Sequence, residues 1–182
     1  MKELSLNILD ITKNSVSAGA SQIDISIITN EDGWMSVEIK DNGCGMNNDM
    51  LKNVIDPFCT TRTTRKVGMG IPLFKMAAEQ TGGNLSIISS VEKGNSGTTI
   101  SATFDTKSID FTPMGDIIST ICILIAGSPE IDFNFTDRSP YHCVELHTAE
   151  LREILGKDIS LAEYEVQMWI KEFLTEQYLS NQ

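Results

Sequence analysis

The 182-residue chain is 41% apolar and 21% charged, the composition of a folded soluble protein long enough to bury a substantial core. Its 14 Lys and Arg against 25 Asp and Glu leave a net charge of −11, which makes it a poor candidate for sequence-independent nucleic-acid binding or for an anionic membrane surface, both of which need a basic face. The imbalance is uneven: residues 1–106 hold 9 basic and 12 acidic side chains and residues 107–182 hold 5 and 13, which divides the chain into a nearly balanced unit, 1–106, and an acidic extension, 107–182.

Leu4, Ile8, Ile11 and Ser15 recur at helical spacing, with Leu6 and Leu9 widening the stripe, so residues 3–17 are predicted as a helix that Gly19 stops. Residues 22–27 and 35–40 alternate with period two around the turn Glu31-Asp32-Gly33 and read as a hairpin. Residues 41–70 are rich in Gly, Asn, Asp and Thr, and read as loops around a short helix at 48–54. A helix over 70–80 is stopped by Gly82-Gly83, and strands at 84–91 and 98–106 follow, joined by Lys93-Gly94-Asn95. The order helix, strand, strand, loops, helix, strand, strand predicts an α+β fold, a two-layer α/β sandwich. The extension reads as a small α-β-β-α unit: helix 115–126, strands 131–136 and 142–147, helix 161–179.

Met1-Lys2-Glu3-Leu4 runs into a helical pattern that contains an acid, unlike a signal peptide. The longest apolar stretch, 117–126, is about half of the ~20 residues that span a bilayer. Cys44, Cys59, Cys122 and Cys143 form no C-x-x-C pair. The expectation is a cytoplasmic protein with reduced thiols.

Four clusters carry chemistry. Asp10 and Asn14 lie one turn apart on a helix face and can hold a water and a divalent cation; taken alone, such a pair is also an ordinary solvated face. Asp41-Asn42-Gly43-Cys44-Gly45-Met46 follows a strand; its glycines permit positive φ and close approach of a flat ligand, and its aspartate can accept from an exocyclic amine. A plain Asp-Asn-Gly turn has the same letters. Gly68-Met69-Gly70 opens a helix and exposes backbone N–H groups, a phosphate-type anion site that is not a Walker A loop. Thr60-Thr61-Arg62-Thr63-Thr64-Arg65-Lys66 is a basic stretch without period, suited to closing over phosphates or to lying solvated.

In this order, with Asp56-Pro57-Phe58 before the basic stretch and Gly97-Thr98-Thr99 at the end, the clusters resemble the ATP-binding domain of the GHKL superfamily. Its members include histidine kinases, mismatch-repair ATPases, type II topoisomerases and a heat-shock chaperone. Asn14–Ala20 is similar to the mismatch-repair branch, and Asp56–Arg62 with Gly68–Leu73 is similar to the histidine-kinase branch. The resemblance covers about residues 3–106. It implies ATP and magnesium: Asn14 on the metal, Asp41 on the adenine amine, Gly45 and Thr98 shaping the base pocket, Gly68 and Gly70 bracketing the phosphates, Gly43, Met46, Met69 and Ile71 also in contact with the nucleotide, Phe58 anchoring a lid, and Arg62 or Lys66 toward the γ-phosphate. Asp10 stands where the hydrolysing branches place Glu, one methylene longer, so as catalytic residue it puts hydrolysis in more question than binding.

The resemblance implies ATP hydrolysis or phosphoryl transfer to a partner protein. The alternative is a non-catalytic ATP-sensing module that binds a protein, of the anti-sigma or signalling-adaptor kind. A histidine kinase's phosphoacceptor segment would precede its ATP domain. The stretch His147–Arg152 lacks the acid that follows the acceptor histidine, and His142 and His147 lack further ligands at metal spacing. The apolar stripe of the last helix (Leu161, Tyr164, Val166, Trp169, Ile170, Phe173, Leu174, Leu179) serves either the core or a partner or second subunit.

Overall fold

Period-two alternation builds one sheet, and its inward residues set where the core lies. The computed structural model describes residues 3–54, 70–156 and 158–180. Its elements are α1 (Leu4–Ser17), β1 (Gln22–Thr29), β2 (Trp34–Asp41), α2 (Asn48–Val54), α3 (Gly70–Gln80), β3 (Leu85–Ser90), β4 (Gly97–Asp105), α4 (Ile117–Gly127), β5 (Asp132–Arg138), β6 (Cys143–His147), α5 (Thr148–Leu155) and α6 (Tyr164–Ser180). The six strands form one sheet in the order β3-β4-β2-β1-β5-β6. All neighbours are antiparallel except β1 and β5, which run parallel from Gln22 opposite Asp132 to Ile28 opposite Arg138.

Ile23, Ile25 and Ile27 of β1, Met35, Val37 and Ile39 of β2, and Phe133 and Phe135 of β5 are buried, while their alternates are polar or more exposed. On the buried face α1 packs against α3 on one flank and α4 on the other, and α4 packs against α6. Phe74 of α3, Phe104 of β4 and Phe135 of β5 are completely enclosed. Side chains of this size stabilise by roughly 1.5–3 kcal/mol each on burial. The two-layer α+β architecture read from the sequence is the one observed.

The acidic extension continues the same sheet, with β5 and β6 alongside β1. The connection that leads to it crosses the start of α1, where Leu4 N–H and Ser5 N–H donate to the carbonyls of Pro113 and Met114. Those bonds satisfy donors that a helix N-terminus leaves open.

Three local readings are corrected. The helix expected from Gly115 starts at Ile117, because Gly115 has φ +76° and Asp116 is the cap, its Oδ1 accepting from Ser119 N–H at 2.9 Å. The last helix starts at Tyr164 instead of Leu161. A further helix, α5, follows β6 with no Gly or Pro between them to mark the change. Helix α1 ends as expected, on Gly19 at φ +72°.

Candidate functional site

Asp41 is the last residue of β2 and is buried. Its Oδ2 accepts from the Ser15 hydroxyl of α1 at 2.6 Å, and its Oδ1 accepts from Gly43 N–H at 2.9 Å and Thr98 N–H at 3.2 Å. Thr98 is available because antiparallel pairing sets it opposite Asp41 in β4. Three donors from three segments thus fix the carboxylate, and hydrogen bonds to a charged acceptor are among the stronger ones.

The loop after Asp41 is clamped on both sides. Asn42 Oδ1 accepts from the Ser21 and Gln22 N–H groups at 2.9 and 3.0 Å. Cys44 N–H donates to the Ala18 carbonyl at 2.9 Å and Met46 N–H to Ser89 Oγ at 2.7 Å. The glycines of this loop answer first to the protein's own packing. A Cβ on Gly45 would lie 1.9 Å from the Ser90 carbonyl oxygen at φ +69°, and one on Gly43 would lie 2.9 Å from Ala18 Cβ.

Asp41 stands in a cavity of about 560 Å³, a size ordinary for small-molecule sites. Ile11, Asn14 and Ser15 of α1 form part of one wall, Cys44, Gly45 and Met46 part of a second, Asp49, Met50, Asn53 and Val54 of α2 a third, and Ile71, Thr98 and Ile100 also border the space. Of the expected residues, Asn14, Asp41, Gly45, Met46, Ile71 and Thr98 therefore meet around one space. Gly43 acts on it through Asp41. Asp10 and Gly70 are absent from the lining; they lie against each other, with Asp10 Cβ 3.2 Å from where a Gly70 Cβ would be. Asp10 and Asn14 are both exposed. Phe58, Arg62, Lys66, Gly68 and Met69 lie outside the described residues, as does Cys59.

Several lining residues were not singled out from the sequence. Ser15 follows Asn14 directly and so points about 100° around the helix, toward the sheet. Ser89 Oγ hydrogen-bonds Thr98 Oγ1 at 2.8 Å and braces the wall from β3, and α2 closes one side without burying any residue of its own. Elsewhere, His142 Nε2 meets Asp137 Oδ1 at 2.9 Å and Nδ1 meets Ser139 Oγ at 2.9 Å, while His147 Nδ1 meets Asn134 Oδ1 at 3.0 Å. Cys44, Cys122 and Cys143 are free thiols. Among the described residues no three His, Cys, Asp or Glu cluster as metal ligands, and no helix is long and apolar enough to cross a membrane.

Residues 1–108 match the family model of the histidine kinase-, DNA gyrase B- and HSP90-like ATPases. The chain belongs to this family. A protein of Shewanella frigidimarina named as a sensor is 29% identical over 96 residues, 51% of this chain and 15% of its own length. The signal transduction histidine-protein kinase AtoS of Escherichia coli is 34% identical over 73 residues, 40% of this chain and 12% of its own. These matches therefore span a small part of either relative. The MutL ATPase domain of Aquifex aeolicus, solved in complex with ADP, superposes with a TM-score of 0.53 at 15% identity over 85% of this chain and 68% of that one. That coverage reaches past the residues of the ATPase family model, so the likeness in fold takes in part of the extension as well.

Proposed function

We propose that this chain binds ATP with magnesium in the cavity around Asp41 and turns it over by hydrolysis or by phosphoryl transfer to a partner protein. The observation that carries the reading is the Asp41 carboxylate, held by Ser15, Gly43 and Thr98 at the wall of the cavity. A fixed, acceptor-only group selects adenine, whose exocyclic amine donates, over guanine, which presents a carbonyl oxygen at the same position. Gly45, Met46, Ile71 and Thr98 would enclose the base. The family membership and the ADP complex of the Aquifex MutL ATPase domain support the same ligand.

Asn14 and Asp10 offer an amide and a carboxylate oxygen one turn apart, hard donors of the kind that hold magnesium together with waters and phosphate oxygens. Magnesium held there would neutralise charge on the phosphates. Asp10, beside Gly70 at the start of α3, would orient or deprotonate the nucleophile. The cytoplasm, where ATP and reduced thiols coexist, is the compartment that fits this reading.

Calorimetric titration tests it. ATP should bind saturably and GTP much more weakly, and Asp41→Asn should weaken ATP by roughly ten- to a hundredfold, the loss of one hydrogen bond to a charged group. Unchanged affinity in the variant overturns the reading.

A second reading rests on α1, which lines the cavity on one flank and packs against α4 of the extension on the other. Through this shared helix, nucleotide binding would alter the extension and a bound protein without turnover, as a sensing module of the anti-sigma or signalling-adaptor kind does. Release of phosphate, or transfer of label from γ-labelled ATP to a protein, separates the two.

A further inference from the structure

Ser89 of β3 stands directly opposite Thr98 of β4. Its hydroxyl oxygen has three polar neighbours. Met46 N–H, from the loop after Asp41, donates to it at 2.7 Å. The Gly97 carbonyl oxygen lies 2.9 Å away and the Thr98 hydroxyl 2.8 Å away. A serine hydroxyl has one proton to give and two lone pairs that accept. The Gly97 carbonyl only accepts, so it takes the Ser89 proton, while Met46 occupies one lone pair. All three contacts are hydrogen bonds in a single arrangement, in which the Thr98 hydroxyl donates to the second lone pair of Ser89. Thr98 is 9% exposed and borders the cavity. With its proton turned to Ser89, its oxygen meets a ligand with lone pairs alone.

We propose that Ser89 is a positioning residue that holds the Thr98 hydroxyl as a hydrogen-bond acceptor, so that Thr98 and Asp41 together read both hydrogens of a primary amine on the purine base. The proposal rests on the nucleotide reading of the cavity. Asp41 Oδ1 accepts from Thr98 N–H at 3.2 Å, so the carboxylate and the Thr98 hydroxyl oxygen are neighbours in one wall. A primary aromatic amine spreads its two N–H bonds about 120° apart, which suits two acceptors about 5 Å from each other. A secondary amine, with a methyl in place of one hydrogen, satisfies one acceptor and leaves the other facing carbon, and a desolvated acceptor without a partner is costly. Asp41 alone asks for one hydrogen; the pair asks for two. Without Ser89 the Thr98 hydroxyl is free to turn its proton into the cavity, and the second demand is relaxed.

The probes are ATP and its N6-methyl derivative, titrated calorimetrically into the full chain. Wild type should prefer ATP by about tenfold. Ser89→Ala and Thr98→Val should each reduce that preference to about twofold or less, chiefly by weakening ATP, with circular dichroism unchanged. On the Thr98→Val background Ser89→Ala should change the preference no further, because it acts through Thr98. A purely structural brace predicts instead that Ser89→Ala weakens both nucleotides by the same factor. That result overturns the proposal, and so does a further fall in preference in the double variant. The hydroxyl orientation is read without nucleotide: proton NMR should place the Thr98 hydroxyl proton against Ser89, and a proton directed away from Ser89 overturns the proposal. Wild type that binds neither nucleotide overturns the nucleotide reading itself, so the two failures are distinct.

Discussion

The Ser15 hydroxyl donates to Asp41 Oδ2 at 2.6 Å, joining α1, one wall of the site, to the end of the central strand β2. Both residues are buried, so the bond is made where water competes poorly. It leaves the carboxylate no freedom to turn away from the cavity. Ser15→Ala should retain the fold yet lower ATP affinity by about three- to tenfold, and lower stability by roughly 1.5–3 kcal/mol for the lost bond to a charged group. Denaturant unfolding and calorimetry read the two effects. An unchanged ATP affinity would mean that Gly43 and Thr98 alone orient Asp41.

Gly45→Ala tests a constraint that belongs to the protein itself. The added methyl would meet the Ser90 carbonyl at 1.9 Å, and the backbone stands at φ +69°. A left-handed non-glycine residue costs about 1–2 kcal/mol, before the contact is relieved. Total destabilisation of ~3 kcal/mol or more should lower the melting temperature by roughly 6–12 °C. A melting temperature within error of wild type would show that β3 gives way easily.

Residues 3–54 were legible in the sequence because their signals are local: the stripe Leu4-Ile8-Ile11, the alternation of β1 and β2, and Gly19 at the helix end. The joining of β5 to β1 was not, since periodicity identifies a strand without naming its neighbour. In the site, Asp41 and Thr98 stood out on motif. Ser89 and the α2 wall did not, because they reach the cavity only through contacts between distant segments. Helix α5 escaped notice because eight residues directly after a strand, with no breaker between, carry too short a period to declare themselves.

Tyr178 gives a pH prediction. Burial, and then the adjacent Asp137 carboxylate that accepts from its hydroxyl at 2.6 Å, push the phenol well above its ordinary value. A folded-state pKa raised in this way contributes stability that is whole below the unfolded value of about 10 and is lost as pH rises past it. The stability advantage of wild type over Tyr178→Phe should therefore be largest near neutral pH and shrink above about pH 10. Denaturant unfolding at a series of alkaline pH values measures it. A difference that stays constant across that range would place the phenol in contact with solvent.

On the proposed reading, turnover would depend on Asp10 and Asn14. Asn14→Ala should abolish the dependence of ATP affinity on magnesium while leaving adenosine binding intact, since Asn14 lines the cavity but is not among the groups that donate to Asp41. Asp10→Asn should lower phosphate release or transfer by roughly two to four orders of magnitude, with ATP affinity kept within a fewfold, because a base acts in the transition state and contributes little to ground-state binding. Asp10→Glu is the sharper variant. Asp10 is exposed and outside the cavity lining, and an added methylene extends its carboxylate. If reach limits the rate, Asp10→Glu should release phosphate faster than wild type. If wild type, Asp10→Asn and Asp10→Glu all bind ATP and none releases phosphate or labels a protein, the chain uses ATP as a signal, and α1 carries that signal to α4.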